Sequence, residues 1–126
     1  MSGKHHDISI KCRSSYLAEQ SEPELNRYVF SYTIDITNTS THAAQLLTRN
    51  WVIRQANGKI ENITGEGVVG KKPLLHPGER FQYTSGAVIE TAVGTMQGSY
   101  GLVGEDGDKF DVEIPAFTLS IPRVLH

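Results

Sequence analysis

Tyr28-Val29-Phe30-Ser31-Tyr32-Thr33-Ile34-Asp35-Ile36-Thr37-Asn38 decides the fold. Tyr28, Phe30, Tyr32, Ile34 and Ile36 face one way, and Ser31, Thr33, Asp35 and Thr37 the other. A period of two with aromatic and β-branched residues is a strand with one face in the core and one in water. That pattern belongs to an antiparallel sheet, because parallel strands covered on both faces are apolar throughout.

Working outward, shorter strands flank it. Ile8, Ile10 and Cys12 alternate with Ser9, Lys11 and Arg13. The segment from Leu17 to Asn26 breaks the alternation at Pro23 and reads as a loop with a turn of helix. Ala44 to Gln55 reads as a strand with Leu47, Trp51 and Ile53 inward and Arg49 interrupting the row. Asn57-Gly58 tolerates the positive φ of a tight hairpin turn, and a return strand spans about Lys59 to Thr64. His76-Pro77-Gly78 turns the chain into a strand with Phe81 and Tyr83 inward, and Gly86 to Gly94 reads as a connection. Met96, Tyr100 and Leu102 mark the next strand. Phe110, Val112 and Ile114 mark another, and Phe117, Leu119 and Ile121 a last one, with Pro115 at the join. The sum is an all-β chain: a single immunoglobulin or fibronectin type III-like antiparallel β-sandwich of seven to eight strands.

The 126 residues suit one domain over 1–126, with residues 1–6 read as a flexible tail. Twelve basic residues against 14 acidic leave a formal charge of -2, which gives no field for nucleic acid or an anionic membrane. Cys12 is the only cysteine, so neither an internal disulfide nor a cysteine-based zinc site is available, which suits the cytoplasm. No apolar run approaches the ~18 residues of a membrane span. A monomer or weak homodimer is expected.

One stretch resembles a ligand cradle: Gly65-Glu66-Gly67-Val68-Val69-Gly70-Lys71-Lys72-Pro73. Its glycines have the G-x-G-x-x-G spacing that lets backbone amides approach phosphate. A dinucleotide fingerprint also requires a helix opening out of the loop, and Pro73 and Pro77 forbid one. An anion nest survives, with amides of Gly65, Gly67 and Gly70 beside the ammonium groups of Lys71 and Lys72, able to hold phosphate, pyrophosphate or a nucleotide. The other reading is a long inter-strand loop whose glycines meet backbone constraints and whose lysines are solvated.

Other chemistry is sparse. His5, His6, His42, His76 and His126 lack metal-ligand spacing, and Asp106, Asp108 and Asp111 with Glu105 lack a calcium loop's closing glutamate. No G-x-S-x-G supports a serine nucleophile, and Ser85 has no suggestive partner. Trp51, Tyr28, Tyr32, Tyr83 and Tyr100 read as core. No catalytic residue, metal site or cofactor is expected.

The glycine loop, Pro77-Gly78-Glu79-x-Phe81-x-Tyr83-Thr84-Ser85-Gly86, Gly94-x-Met96-x-Gly98-x-Tyr100 and Phe117-x-Leu119-x-x-Pro122-x-x-Leu125-His126 together resemble the bacterial ApaG family. Arg49-x-Trp51-x-Ile53 and Glu19-Gln20-Ser21 agree with it. The resemblance implies a fibronectin type III-like sandwich. It also implies a link of unknown biochemistry to cobalt tolerance and magnesium efflux, and a gene neighbourhood shared with diadenosine tetraphosphate hydrolysis. Similar domains in eukaryotic F-box proteins and a polymerase-delta-interacting protein point to protein binding, and the family has no established catalytic residues. Two positions depart from the family: Lys71-Lys72 stands where Glu-Gln is usual, and Ala92-Val93 where Thr-Pro is common. The first makes the loop more cationic, which weakens a divalent-metal reading of it. The expected function is a non-enzymatic binding module with an unidentified protein partner, the alternative being a phosphate-containing small molecule at the loop.

Overall fold

The computed structural model describes residues 7–122. Eight strands form two antiparallel sheets: β1 (Ile8–Tyr16), β2 (Tyr28–Asn38), β3 (Ala44–Gln55), β4 (Ile60–Glu66), β5 (Leu74–Leu75), β6 (Arg80–Ile89), β7 (Val93–Gly104) and β8 (Lys109–Ser120). One sheet runs β1-β2-β6. The other runs β4-β3-β7-β8, with β5 also paired to β3. The alternation in β2 becomes burial: Phe30, Tyr32, Ile34 and Ile36 are in the core, opposite Trp51, Ile53, Met96, Tyr100 and Leu102 of the other sheet. Two 3-10 turns, Ala18–Gln20 and Pro23–Leu25, occupy the segment expected as a loop. The tail over residues 1–6, with His5 and His6, and the terminal His126 lie outside the described residues.

Three expectations are corrected. In β3 it is Leu46 and not Leu47 that is buried, because the register with β7 shifts between Leu46 and Thr48. The irregularity inverts the facing of everything after it and puts Arg49 on the same side as Trp51 and Ile53. The connection expected from Gly86 to Gly94 shrinks to 90–92, since β6 runs on to Ile89 with Ala87 and Ile89 buried. The last two expected strands are one. Met96 pairs with Phe117 while Gly98 pairs with Ile114, so β8 carries an extra residue at Pro115 and Ala116 that absorbs the change of facing.

Asn38 caps this architecture from inside. Its Nδ2 donates to the carbonyls of His42 and Leu75 at 2.8 and 2.9 Å, and its Oδ1 accepts from the amide and hydroxyl of Ser40. A buried amide so satisfied fixes the β2–β3 turn against β5. The sheets are also joined by a hydrogen bond between the hydroxyls of Tyr83 on β6 and Tyr100 on β7, both buried. Burial pushes both phenols well above their ordinary value of 10.0, and pushes the Cys12 thiol up from 9.0 to about 11. Cys12 is thus a half-buried thiol packed against the core and held protonated at neutral pH.

Replacing either tyrosine by phenylalanine leaves the other hydroxyl buried and unpaired, at a cost of about 1–3 kcal/mol, and the double replacement should cost less than the two singles combined. Urea unfolding of the four proteins checks this. The raised pKa values also set an alkaline limb. The unfolded chain releases these protons first, so it binds fewer above the ordinary values. Stability is therefore expected to be intact below about pH 9 and to fall as pH rises through 10 and beyond, with a shallower fall in the double phenylalanine variant.

Candidate functional site

The two sheets meet unequally at their margins. On one side β1 is tied to β8, with Ser14 Oγ donating to the carbonyl of Thr118 at 2.7 Å. On the other, β4 and β6 leave a cleft with two lobes, which share Tyr32, Arg49, Trp51 and Ser85 as walls. The larger lobe, about 250 Å³, is otherwise lined mainly by Ile53, Ile63, Ala87, Val88 and Met96, with Glu61 on its wall. The smaller, about 170 Å³, runs under Val68, Val69 and Gly70 against Tyr83. A hollow of about 480 Å³ also exists around Gly98 and Pro115.

The glycine stretch is built around Arg49. Gly65 is not in a loop but in β4, paired with Arg49, and a Cβ there would stand 2.7–2.9 Å from the guanidinium. Glycine lets the guanidinium lie flat on the backbone, from where Nη1 donates to the carbonyls of Glu66 and Gly67 at 3.0 and 2.8 Å. Gly67, at φ 66, donates its amide to the Leu47 carbonyl at 2.8 Å, and a Cβ on it would strike the Lys71 carbonyl. Val68 and Lys71 exchange amide hydrogen bonds across a two-residue turn, with Val69 at φ 43 and Gly70 at φ 78. Positive φ at both central residues is the type I′ requirement.

Of the residues expected to hold an anion, Gly70 lines the cleft, and Gly67 spends its amide on the protein. Lys71 is exposed, and its amide is given to the Val68 carbonyl. Lys72 Nζ is paired with Glu66 Oε1 at 2.7 Å, a hydrogen bond that holds the Glu66 carboxyl below its ordinary range. The structure thus does not gather these groups around one point. The cation it brings to the cleft is Arg49, whose signal in the sequence was its interruption of the row that continues to Trp51 and Ile53.

Trp51 Nε1 is the one buried side-chain nitrogen or oxygen among the described residues without a hydrogen-bond acceptor. Its ring is met edge-on by Tyr32, Phe117 and Tyr100 at centroid distances of 5.5, 5.9 and 6.4 Å. His42 and His76 pair with Glu105 and Glu79, each at 2.9 Å. Among the described residues no three His, Cys, Asp or Glu side chains gather as a metal site would need.

A model of the ApaG domain matches residues 18–104. Protein ApaG of Thiobacillus denitrificans is 59% identical over 124 residues, 98% of each chain, and that of Nitrosospira multiformis is 52% identical over the same share. The chain belongs to the ApaG family. A crystal structure of the Bordetella pertussis protein named ApaA superposes with a TM-score of 0.92 at 45% identity, covering 96% of this chain and 98% of that one. At 7% identity, the C-terminal domain of wzt shares the fold alone, with a TM-score of 0.56. ApaG membership thus extends over the loop, the Arg49 strand and both walls of the cleft.

Val69 is the strained point of the site, a β-branched residue in left-handed backbone and 52% exposed. Val69→Asn creates the Asn-Gly pair that this turn favours and should stabilise the protein by about 1 kcal/mol, measured as a raised urea midpoint with unchanged m-value. Unchanged or lower stability would mean that Val69 makes a contact worth more than its strain.

Proposed function

We propose that the chain is a non-enzymatic protein-binding module that meets its partner along the open side of the sandwich. The observation that carries this reading is the rim of the cleft. Ile63 on β4 and Val88 on β6, both on the wall of the larger lobe, are 40% and 48% exposed. Among the described residues β4 pairs only with β3 and β6 only with β2, so both present unpaired backbone to an incoming strand. Apolar side chains beside free edges supply affinity by burial, and the edge hydrogen bonds supply register.

Family membership supports a binding role over catalysis, and the histidines at 42 and 76 are each engaged with a glutamate away from the cleft. Cytoplasmic location fits the lone protonated Cys12 thiol. A link to cobalt or magnesium handling then runs through the partner rather than through metal held by this chain. Phosphate or nucleotide binding at Gly65–Lys72 gains no comparable support, since the amides of Gly67, Val68 and Lys71 have internal acceptors and Lys72 has Glu66.

A photocrosslinking residue placed singly at Ile63 or Val88 should yield one discrete heterologous adduct in cells. The same residue at the exposed positions Lys11 and Gln97, away from the cleft, should not. Ile63→Lys should reduce the adduct at Val88 at least about tenfold, with circular dichroism unchanged. Equal labelling at the control positions would sink the reading.

A further inference from the structure

Arg49 is a half-buried cation with more donors than acceptors. Nη1 serves two carbonyls, while Nε and Nη2 meet no acceptor among the described residues, and no carboxylate pairs with the guanidinium. Of the acids nearby, Glu66 is bound by Lys72, and Glu61, on the larger lobe, forms no ion pair with Arg49 and has a long contact of 3.5 Å from Gln55 Nε2. Those two nitrogens are not among the buried unsatisfied atoms, so they open onto water in the cleft, where an anion can take the water's place. The Ser85 hydroxyl lines the same two lobes, as does Trp51, whose indole N–H has no acceptor.

The missing group is an anion, and the cleft restricts which. A carboxylate matches the planar fork of arginine. Phosphate would draw on several further donors, and of the neighbouring groups the amides of Gly67, Val68 and Lys71 and the Lys72 ammonium are engaged inside the protein, which leaves at the cleft only the amides of Val69 and Gly70. Beyond Arg49 the larger lobe is walled mainly by Trp51, Ile53, Ile63, Val88 and Met96, with Glu61 and Ser85 as its polar points, so most of the ligand's body is apolar. The two lobes, about 250 and 170 Å³, each suit a small body rather than a drug-sized one.

We propose that this cleft binds a small free carboxylic acid with a compact branched or aromatic body, its carboxylate on the open edge of Arg49 and its body in the lobe between β4 and β6. The site lies inside the rim used in the protein-binding reading and stands independently of it.

Titration of the full chain with 4-methylpentanoate, followed by Trp51 fluorescence and by the Trp51 indole and Arg49 Nε–H resonances, tests this directly, since Trp51 is the only tryptophan. Saturable binding with a Kd of about 1 mM or tighter is expected, and at least about tenfold weaker binding of 4-methylpentanamide and of inorganic phosphate. Arg49→Met should lose binding about tenfold or more. Because Arg49 also holds the loop, Ser85→Met provides the second variant: it fills the cleft without touching that clamp, and should lose binding about tenfold while its Tm stays within about 2 °C. An amide or phosphate that binds as tightly as the acid, a Ser85→Met protein with unchanged affinity, or no saturable shift up to about 20 mM would each overturn the proposal. Tenfold tighter binding of acetyl-Gly-Gly-Leu would also overturn it, making the occupant a protein terminus instead of a free acid.

Discussion

Trp51 sets the distance between the sheets. It projects from β3 into a ring of aromatics drawn from both layers: Tyr32 from the three-stranded sheet, and Tyr100 and Phe117 from the five-stranded one. Edge-to-face contacts hold rings at defined separations and angles, so one indole fixes the layer spacing along the whole middle of the sandwich. The consequence differs on its two sides. Towards β1 and β8 the layers close, and burial raises the Cys12 thiol of β1. Towards β4 and β6 nothing as large as Trp51 follows, and the layers part as a cleft.

The glycine stretch belongs to the same constraint. Its spacing resembles a phosphate cradle because both uses need backbone without Cβ at close range. Here the group approaching closely is a side chain of the protein itself. Arg49 lies on Gly65 and is gripped by two successive carbonyls, and Gly67 closes the turn onto Leu47. Glycine spacing alone does not distinguish an external anion from an internal guanidinium, because the steric demand is identical.

The strands were legible where one face is wet. The β2 alternation needed nothing beyond its own residues. The Asn57-Gly58 hairpin was legible in place but not in type: positive φ was expected at both residues, yet only Gly58, at φ 91, has it, and the turn widens so that Gln55 accepts from the Gly58 amide and donates to the Lys59 carbonyl. Leu46 and the merging of β8 across Pro115 were not legible, because a bulge inverts facing without changing composition, and its position depends on the partner strand. The loop charges failed for a similar reason. Lys71 and Lys72 read as a pair of free cations, but Lys72 folds back onto Glu66 across a turn whose hand only the backbone reveals. Arg49 carried the opposite error. It looked like a blemish in a core row, and the bulge ahead of it turns that blemish into the charged wall of the cleft.

Why Arg49 stays unneutralised follows from strand geometry. The acid nearest in sequence to its contacts is Glu66, which gives Arg49 a backbone carbonyl while its carboxylate goes to Lys72 on the exposed side. Successive side chains on a strand point to opposite faces, so a residue next to Gly65 cannot reach the face on which Arg49 lies. On β4 position 65 is directly opposite Arg49, and there even a Cβ would collide with the guanidinium. The packing that holds the cation in place thus bars a partner at the position opposite it on β4. An anion that completes it must arrive from the cleft.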